Sequence, residues 1–180
     1  IGWGLEEKSV EYLGFDPLEH KKFLYHFYNG EYPGSFARGA LYNYDPVSQD
    51  ARSCGTCASL CGIEKAIDEK DDSALALSIR RHLMIHAYIA SLSGIPVIYS
   101  GDELAQLNDN HYMDDPVRAV DSRFIHRGKL DWKRAEERHD RSTVQGLVFS
   151  ELQHIIRLRS ENPVFHAGAL RRAGCCPEIS

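Results

Sequence analysis

One helix followed directly by one buried strand constrains the fold of this chain more than any other feature of its sequence. Residues 73–93 are apolar around much of a helix, and Gly94 stands where a helix commonly ends. Residues 95–99 form a short, continuously apolar run, which predicts a strand covered on both faces, as in a parallel sheet. One strand cannot make a sheet. Either further strands lie elsewhere in the chain, or the chain is the end of a larger α/β protein.

Turn-rich segments lie on both sides of this helix–strand unit. The first 50 residues combine many aromatic residues with turn formers, and within them 19–28 predicts a helix. Residues 104–141 form a second loop-rich segment that is heavily charged. After it, 142–160 predicts another amphipathic helix, with Ser142 as its N-cap. The order of elements is therefore insert, helix, strand, insert, helix.

The charge of the chain excludes two classes of partner. Its 21 basic and 26 acidic residues give a net charge of −5 without a block of like charge. Nucleic acid and anionic membranes both require a basic field, which this composition does not supply. The longest stretch without charged residues, 82–101, contains histidine and serine and is interrupted by Gly94 and Pro96. A membrane span needs roughly 20 apolar residues, so this stretch is a poor candidate. From the charge and from this stretch together, we expect neither a nucleic-acid nor a membrane partner.

The cysteines and two histidines raise the question of a metal site. Three of the five cysteines are closely spaced and two are adjacent: Cys54-x2-Cys57-x3-Cys61 and Cys175-Cys176. The second paired motif of a structural zinc site is missing. His82 and His86 have the i, i+4 spacing of metal ligands, but the sequence shows no third ligand beside them. We therefore expect core-packing thiols and histidines, no metal and no cofactor, in a reducing compartment such as the cytoplasm.

Five blocks of the sequence resemble a known family in their order and spacing. They are Ile1-Gly2-Trp3, Gly34-Ser35-Phe36-Ala37-Arg38-Gly39, Asp50-Ala51-Arg52-x2-Gly55-Thr56, Ile95-Pro96-Val97-Ile98-Tyr99-x-Gly101-Asp102-Glu103 and Asp121-Ser122-Arg123-x2-His126-Arg127. Together they resemble the amylosucrases and sucrose hydrolases of the α-amylase family of glycoside hydrolases. The similarity runs from Ile1 to about Gly168.

The resemblance implies that the chain is the C-terminal part of a (β/α)8 TIM barrel, an α/β fold with its active site at the carboxyl ends of the strands. Segment 1–72 corresponds to the long insert after strand 7, which covers the pocket. Segment 73–168 corresponds to the end of the barrel: helix 7, strand 8, an insert and helix 8. Residues 169–180 depart from the family as an atypical tail. We expect the isolated chain to be mostly helical and prone to associate.

The resemblance also implies an activity to which this chain contributes no catalytic residue. Amylosucrases transfer glucose from sucrose to a glucan or to water through a retaining mechanism, which needs two carboxyl groups flanking the scissile bond. In the family these follow strands 4 and 5, and a third carboxylate precedes the Ile-Gly-Trp block. We therefore expect sucrose and α-glucan to be partners of a longer protein, and this chain alone to be inactive.

Four positions match substrate-contacting residues of the family. Arg52 corresponds to an arginine on the acceptor side of the pocket, and Arg123 to one that pairs with an aspartate from an early strand. Lys21 falls where an arginine contacts bound glucan, and Phe23 beside it offers a face for sugar stacking. The alternatives are an Arg52–Asp50 ion pair, a structural ion pair of Arg123, and core packing of Phe23.

Two acidic residues follow the predicted strand 8. Asp102 and Glu103 invite an acid–base role because of their place at the end of the strand. The resemblance instead implies that they hold loops by hydrogen bonds.

Two other functions stay open at this point. One is a different α-amylase-family enzyme, such as a trehalose synthase or an α-glucosidase. The block 34–39 and the length of segment 1–72 favour the amylosucrase type. The other is a non-catalytic carbohydrate-binding module, which would require a closed sheet within the 180 residues, where the sequence shows one convincing strand.

Overall fold

The computed structural model describes residues 5–165, and this part of the chain is mostly helical. Ile1-Gly2-Trp3, the Cys175-Cys176 pair and the atypical tail 169–180 lie outside the described residues. The helices are α1 Glu7–Tyr12, α2 Pro17–Asn29, α3 Cys57–Leu60, α4 Ile63–Glu69, α5 Asp72–Ser91, α6 Trp132–Glu136 and α7 Val144–Glu161. The strands are β1 Ala40–Tyr42 and β2 Arg52–Cys54. Short 3-10 turns cover Asp102–Leu104, Asn110–Asp114, Ser122–His126, Glu137–His139 and Pro163–Phe165.

The two long helices, α5 and α7, pack together and carry the main core. Its buried residues are Ala58, Ile63, Ile79, Ala105, Val148 and Leu152. Each helix begins at a side-chain cap: the Asp71 carboxylate accepts a hydrogen bond from Ala74 N, and Thr143 Oγ1 accepts one from Gly146 N. The prediction of a second amphipathic helix is confirmed, but Ser142 is not its cap, because the Ser142 hydroxyl and amide both donate to Asp140.

The end of α5 differs from its prediction. The helix ends at Ser91 with Leu92 as its cap, and Gly94 lies two residues further on. The Arg159 guanidinium of α7 donates to the carbonyl oxygens of Ala90, Leu92 and Gly94. A cation from the neighbouring helix therefore binds one carbonyl oxygen in the last turn of α5 and two just beyond its end.

The predicted strand 95–99 is wrong for the described structure. This run has no regular secondary structure, and Ile95, Val97 and Tyr99 are exposed. A strand needs a neighbour to accept and donate its backbone hydrogen bonds, and no such neighbour lies among residues 5–165. The parallel sheet expected from this run is therefore not found in the described part of the chain.

The segment expected to be loop-rich holds the sheet of the described structure. β1 and β2 pair antiparallel, with Ala40 opposite Cys54 and Tyr42 opposite Arg52. Four helices, α1 to α4, also lie within 1–72. Helix α2, predicted at 19–28, begins earlier because the Asp16 carboxylate caps it and Pro17 occupies its first position. It ends at Asn29 and is capped by Gly30, whose positive φ of 85° suits a glycine.

A second buried cluster joins this sheet to the turn Ser122–His126. It consists of Cys54, Tyr112 and Ile125, with Ala40, Tyr42 and Phe124 packed against it. The turn is tied to β1 because Ser122 Oγ donates to Leu41 O at 2.7 Å. The insert 104–141 is therefore docked onto the sheet of the first segment.

None of the helices among the described residues is long and apolar enough to cross a membrane.

Candidate functional site

The sheet and the turn Ser122–His126 bring Arg52 and Arg123 to one surface. Tyr42 lies directly opposite Arg52 across the two strands, so their side chains share a face of the sheet. The Arg123 guanidinium carbon lies 4.7 Å from the centre of the Tyr42 ring, in cation–π geometry. We call Tyr42, Arg52, Asp121 and Arg123 the arginine surface. It places the Arg123 guanidinium over an aromatic ring, with Arg52 opposite that ring on the neighbouring strand.

Asp121 fixes the orientation of Arg123. Its carboxylate accepts from Arg123 Nε at 2.9 Å and from Nη2 at 2.7 Å, a two-point contact that fits the planar guanidinium. These bonds lower the pKa of Asp121 to about 2. The partner expected from the resemblance is an aspartate of an early strand, whereas the partner within the described residues is Asp121. The Arg123 side chain is half-exposed, so part of its fork faces solvent.

Lys21 and Phe23 lie on different sides of α2. Lys21 Nζ forms an ion pair with Glu7 at 2.9 Å, and this hydrogen bond raises the pKa of Lys21. Two residues further, the helix has turned by about 200°. Phe23 there contacts other aromatic rings, with ring centres 4.9 Å from Tyr32 and 5.7 Å from Phe27. The structure therefore does not bring Phe23 and Lys21 to a common face.

Asp102 and Glu103 hydrogen-bond to their surroundings at the end of the 95–99 run. The Asp102 carboxylate lies 3.3 Å from His86 Nε2, and the Asp102 carbonyl lies 2.9 Å from His82 Nε2. Glu103 Oε2 accepts from the amide of Gly101 at 2.9 Å. Asp102 thus joins the loop to α5, and Glu103 closes the turn on itself.

Each histidine of α5 lies beside a cysteine of α3 that could be a metal ligand, although no group of potential ligands among the described residues contains both histidines. The possible ligand atoms of Cys57, Cys61 and His82 all lie within 4.8 Å of one another, as do those of Cys57, His86 and Asp102. We call these five residues the thiol–histidine cluster. Cys57 belongs to both groups and lies at the first position of α3, whereas the histidines lie one turn apart in α5. The sequence spacing did not reveal that these elements pack together.

The thiols and His86 in this cluster have shifted pKa values. A hydrogen bond between the two thiols, 3.9 Å apart, lowers the pKa of Cys61 and raises the pKa of Cys57, which burial raises further. Burial lowers the pKa of His86, but hydrogen bonds to Asp102 and to the His82 carbonyl outweigh it, so the net shift is upward.

A cavity of about 520 Å³ lies beside the thiol–histidine cluster. Each of the four sequence blocks that fall within residues 5–165 contributes to its wall: the lining includes Phe36, Gly55, Thr56, Tyr99, Asp102 and His126. Arg81 of α5 also lines it and stacks over the Phe36 ring at 3.8 Å. Blocks that are far apart in sequence therefore meet at one concave site.

Sequence reasoning missed one residue that holds these blocks together. The Asn108 side chain donates from Nδ2 to Arg38 O at 2.7 Å and accepts at Oδ1 from Thr56 N at 2.9 Å. The backbone N–H of Asn108 donates to Ser59 Oγ at 3.0 Å. Asn108 therefore links the block 34–39 to the block 50–56. An asparagine in a charged insert gives no sequence signal for such a role.

No protein-family model matches this chain.

Proposed function

We propose that this chain is part of a retaining enzyme of the amylosucrase type, which transfers glucose from sucrose to a glucan or to water. The observation that carries the proposal is the convergence of four resembling blocks on one cavity, through Phe36, Thr56, Tyr99 and His126. In this proposal the chain supplies walls of the substrate pocket, and the catalytic carboxylates come from a preceding part of the protein.

The arginine surface has the chemistry that a sugar requires. Guanidinium groups donate several hydrogen bonds in a plane and can address neighbouring hydroxyls of one ring. The Tyr42 ring supports Arg123 through the cation–π contact and so helps to fix the direction of its guanidinium group. Asp121 keeps Arg123 in place at 2.7 Å, so little side-chain entropy remains to be lost on binding. Arg52 and Lys21 are the residues that we expect to influence the balance between transfer and hydrolysis.

We place segment 73–168 at the end of a (β/α)8 barrel, with α5 and α7 as its last two helices. The exposed apolar side chains of Ile95 and Val97 support this placement, because the layers packed on the two faces of a barrel strand would cover them. The face of α5 that bears Met84 and Tyr88 is also exposed. Both surfaces have the composition of a barrel wall without its neighbours.

We also assign the protein to a reducing compartment, the cytoplasm. The three described cysteines, Cys54, Cys57 and Cys61, are all free thiols, and none of them is fully exposed. Thiols of this kind are common where disulfides are not maintained.

The test is sucrose turnover by the protein expressed from its whole reading frame, with fructose release as the readout. Arg123→Lys keeps the charge but loses the two-point contact with Asp121, and we expect it to reduce kcat/KM for sucrose at least tenfold. Arg118→Lys is the matched control, because Arg118 also pairs with a nearby aspartate, Asp115, and lies over an aromatic ring, that of Phe124. We expect it to change kcat/KM less than twofold.

Three outcomes would contradict the proposal. Turnover of maltose without turnover of sucrose would indicate a trehalose synthase or an α-glucosidase. Glucan binding without any turnover would indicate a carbohydrate-binding module. Equal losses of kcat/KM in Arg123→Lys and Arg118→Lys would show that the arginine surface is not part of the substrate site.

A further inference from the structure

We propose that the thiol–histidine cluster binds one Zn²⁺ ion through Cys57, Cys61 and His82. The proposal is independent of the sugar chemistry above. The ligand atoms of these three residues lie within 4.8 Å of one another, and the two sulfur atoms are 3.9 Å apart. Two thiolates on a tetrahedral Zn²⁺ with Zn–S bonds of about 2.3 Å would lie about 3.8 Å apart. The sulfur atoms therefore already have the separation that the ion requires.

The histidine is held in the tautomer that a metal ligand needs. His82 Nε2 lies 2.9 Å from the backbone carbonyl of Asp102, and because a carbonyl oxygen only accepts, Nε2 carries the proton. Nδ1 then keeps its lone pair. His82 is fully buried, and its Nδ1 has no hydrogen-bond partner in the structure. A ring nitrogen held by a backbone carbonyl while the other is left for the ion is the usual arrangement of metal-bound histidine.

The helices fix the three ligands in space. Cys57 is the first residue of α3, which the Thr56 hydroxyl caps, and Cys61 is the C-cap residue directly after the same helix. His82 lies in the middle of α5, which packs against α3. Because these ligands are held by packed helices, they lose little conformational entropy when an ion binds.

The ligand set also favours zinc over other common ions. Two thiolates and one imidazole are the ligands that Zn²⁺ takes in proteins, whereas Ca²⁺ and Mg²⁺ take oxygen. Cys57 and Cys61 line the cavity of about 520 Å³, so the fourth position of the ion is available to water. The His86–Asp102 pair lies next to Cys57, with possible ligand atoms within 4.8 Å of its sulfur atom. Each thiol would release its proton to solvent on binding.

Cys54 is a thiol that contacts packing neighbours and not other potential metal ligands. Its sulfur lies 3.6 Å from the Ala40 carbonyl oxygen and 3.5 Å from Ser122 Oγ. It belongs to neither of the two groups of potential ligands. Cys54 therefore provides a matched control for Cys57 and Cys61.

The experiment is a Co²⁺ titration of the reduced, metal-free 180-residue chain, followed by competition with Zn²⁺. The Cys175→Ser/Cys176→Ser background removes the two thiols of the tail. We expect one equivalent of Co²⁺ to give two signals, the visible absorption of tetrahedral cobalt and a thiolate-to-metal charge-transfer band. Zn²⁺ should abolish both signals. Cys57→Ser, Cys61→Ser and His82→Gln should each weaken Zn²⁺ binding at least about 100-fold, whereas Cys54→Ser should leave it unchanged.

A second measurement on the background chain does not depend on how the ligand variants fold. Zn²⁺ should slow alkylation of Cys57 and Cys61 by iodoacetamide at least tenfold, read peptide by peptide in a mass spectrometer, and leave the rate at Cys54 unaltered. Absence of the cobalt spectrum, retention of binding in Cys57→Ser or Cys61→Ser, or equal protection of all three thiols would overturn the proposal.

Discussion

The apolar face of α5 provides a quantitative prediction about the isolated chain. Met84 and Tyr88, one turn apart on this helix, are 64% and 66% exposed. Complete burial of such a side chain is worth about 1.5–3 kcal/mol, so covering the exposed two-thirds of each is worth roughly 1–2 kcal/mol. Association that covers both side chains is therefore stabilised by roughly 2–4 kcal/mol. We expect the double variant Met84→Glu/Tyr88→Glu to raise the dissociation constant for self-association by about 30- to 700-fold.

The assay is sedimentation velocity over a range of protein concentrations, with far-UV circular dichroism to check that α5 is retained. Glutamate is a good helix former, so the helix should persist. Val117→Glu/Val120→Glu is the control, since these two side chains are even more exposed but lie in the loop 115–121. An unaltered chain that is a monodisperse monomer with a sharp, two-state thermal transition would refute the reasoning. Equal weakening by the control pair would refute it as well.

Three further predictions concern single side chains. Alanine at Gly146 would place its Cβ against the backbone carbonyl of Asp140, so thermal melting by circular dichroism should show destabilisation, although replacing a helical glycine by alanine normally stabilises a protein by about 1 kcal/mol. Arg123→Gln should raise the pKa of Asp121 from about 2 towards 3.8 in an NMR titration of its carboxyl carbon. Because the folded-state pKa is lowered, the contribution of Asp121 to stability is present above pH 3.8 and lost as the pH falls through about 2. In urea unfolding, Asn108→Asp should cost about 1–3 kcal/mol, since a carboxylate cannot donate to the Arg38 carbonyl, and an unchanged midpoint would contradict the linking role of this side chain.

Helices α5 and α7 could be predicted because their information is local. Both have an apolar stripe at helical spacing and a capping side chain within a residue or two of the predicted start. The error at the end of α5 is of another kind. Carbonyl oxygens at and beyond this end are held by Arg159, which is more than 60 residues away in sequence, and no local pattern carries that information.

The strands could not be predicted, because strand formation depends on residues that are distant in the sequence. Residues 95–99 have the composition of a buried strand, but a strand forms only when another strand pairs with it, and the described residues do not provide one. β1 and β2 are three residues each, too short to show the alternation that indicates a strand. Their pairing depends on the packing of α2 and of the turn Ser122–His126 around them.

The candidate site was predictable only in part. The sequence blocks contain Arg52, Asp121 and Arg123, but the ring of Tyr42 beside Arg123 becomes evident only when β1 and the turn Ser122–His126 meet. In the same way, the spacing of His82 and His86 suggests metal ligands, whereas the thiol that joins them comes from a separate helix. Local spacing identifies candidates, and tertiary packing decides which of them meet.

We propose above that the chain belongs to an enzyme that transfers glucose from sucrose with retention of configuration. The most direct measurement is a time course of the whole-reading-frame protein with sucrose, followed by proton NMR of the anomeric region. We expect release of free fructose together with new α-configured glucosyl products, either glucan or glucose that first appears as the α-anomer. Initial appearance of β-glucose, or a spectrum of sucrose that does not change with time, would contradict it.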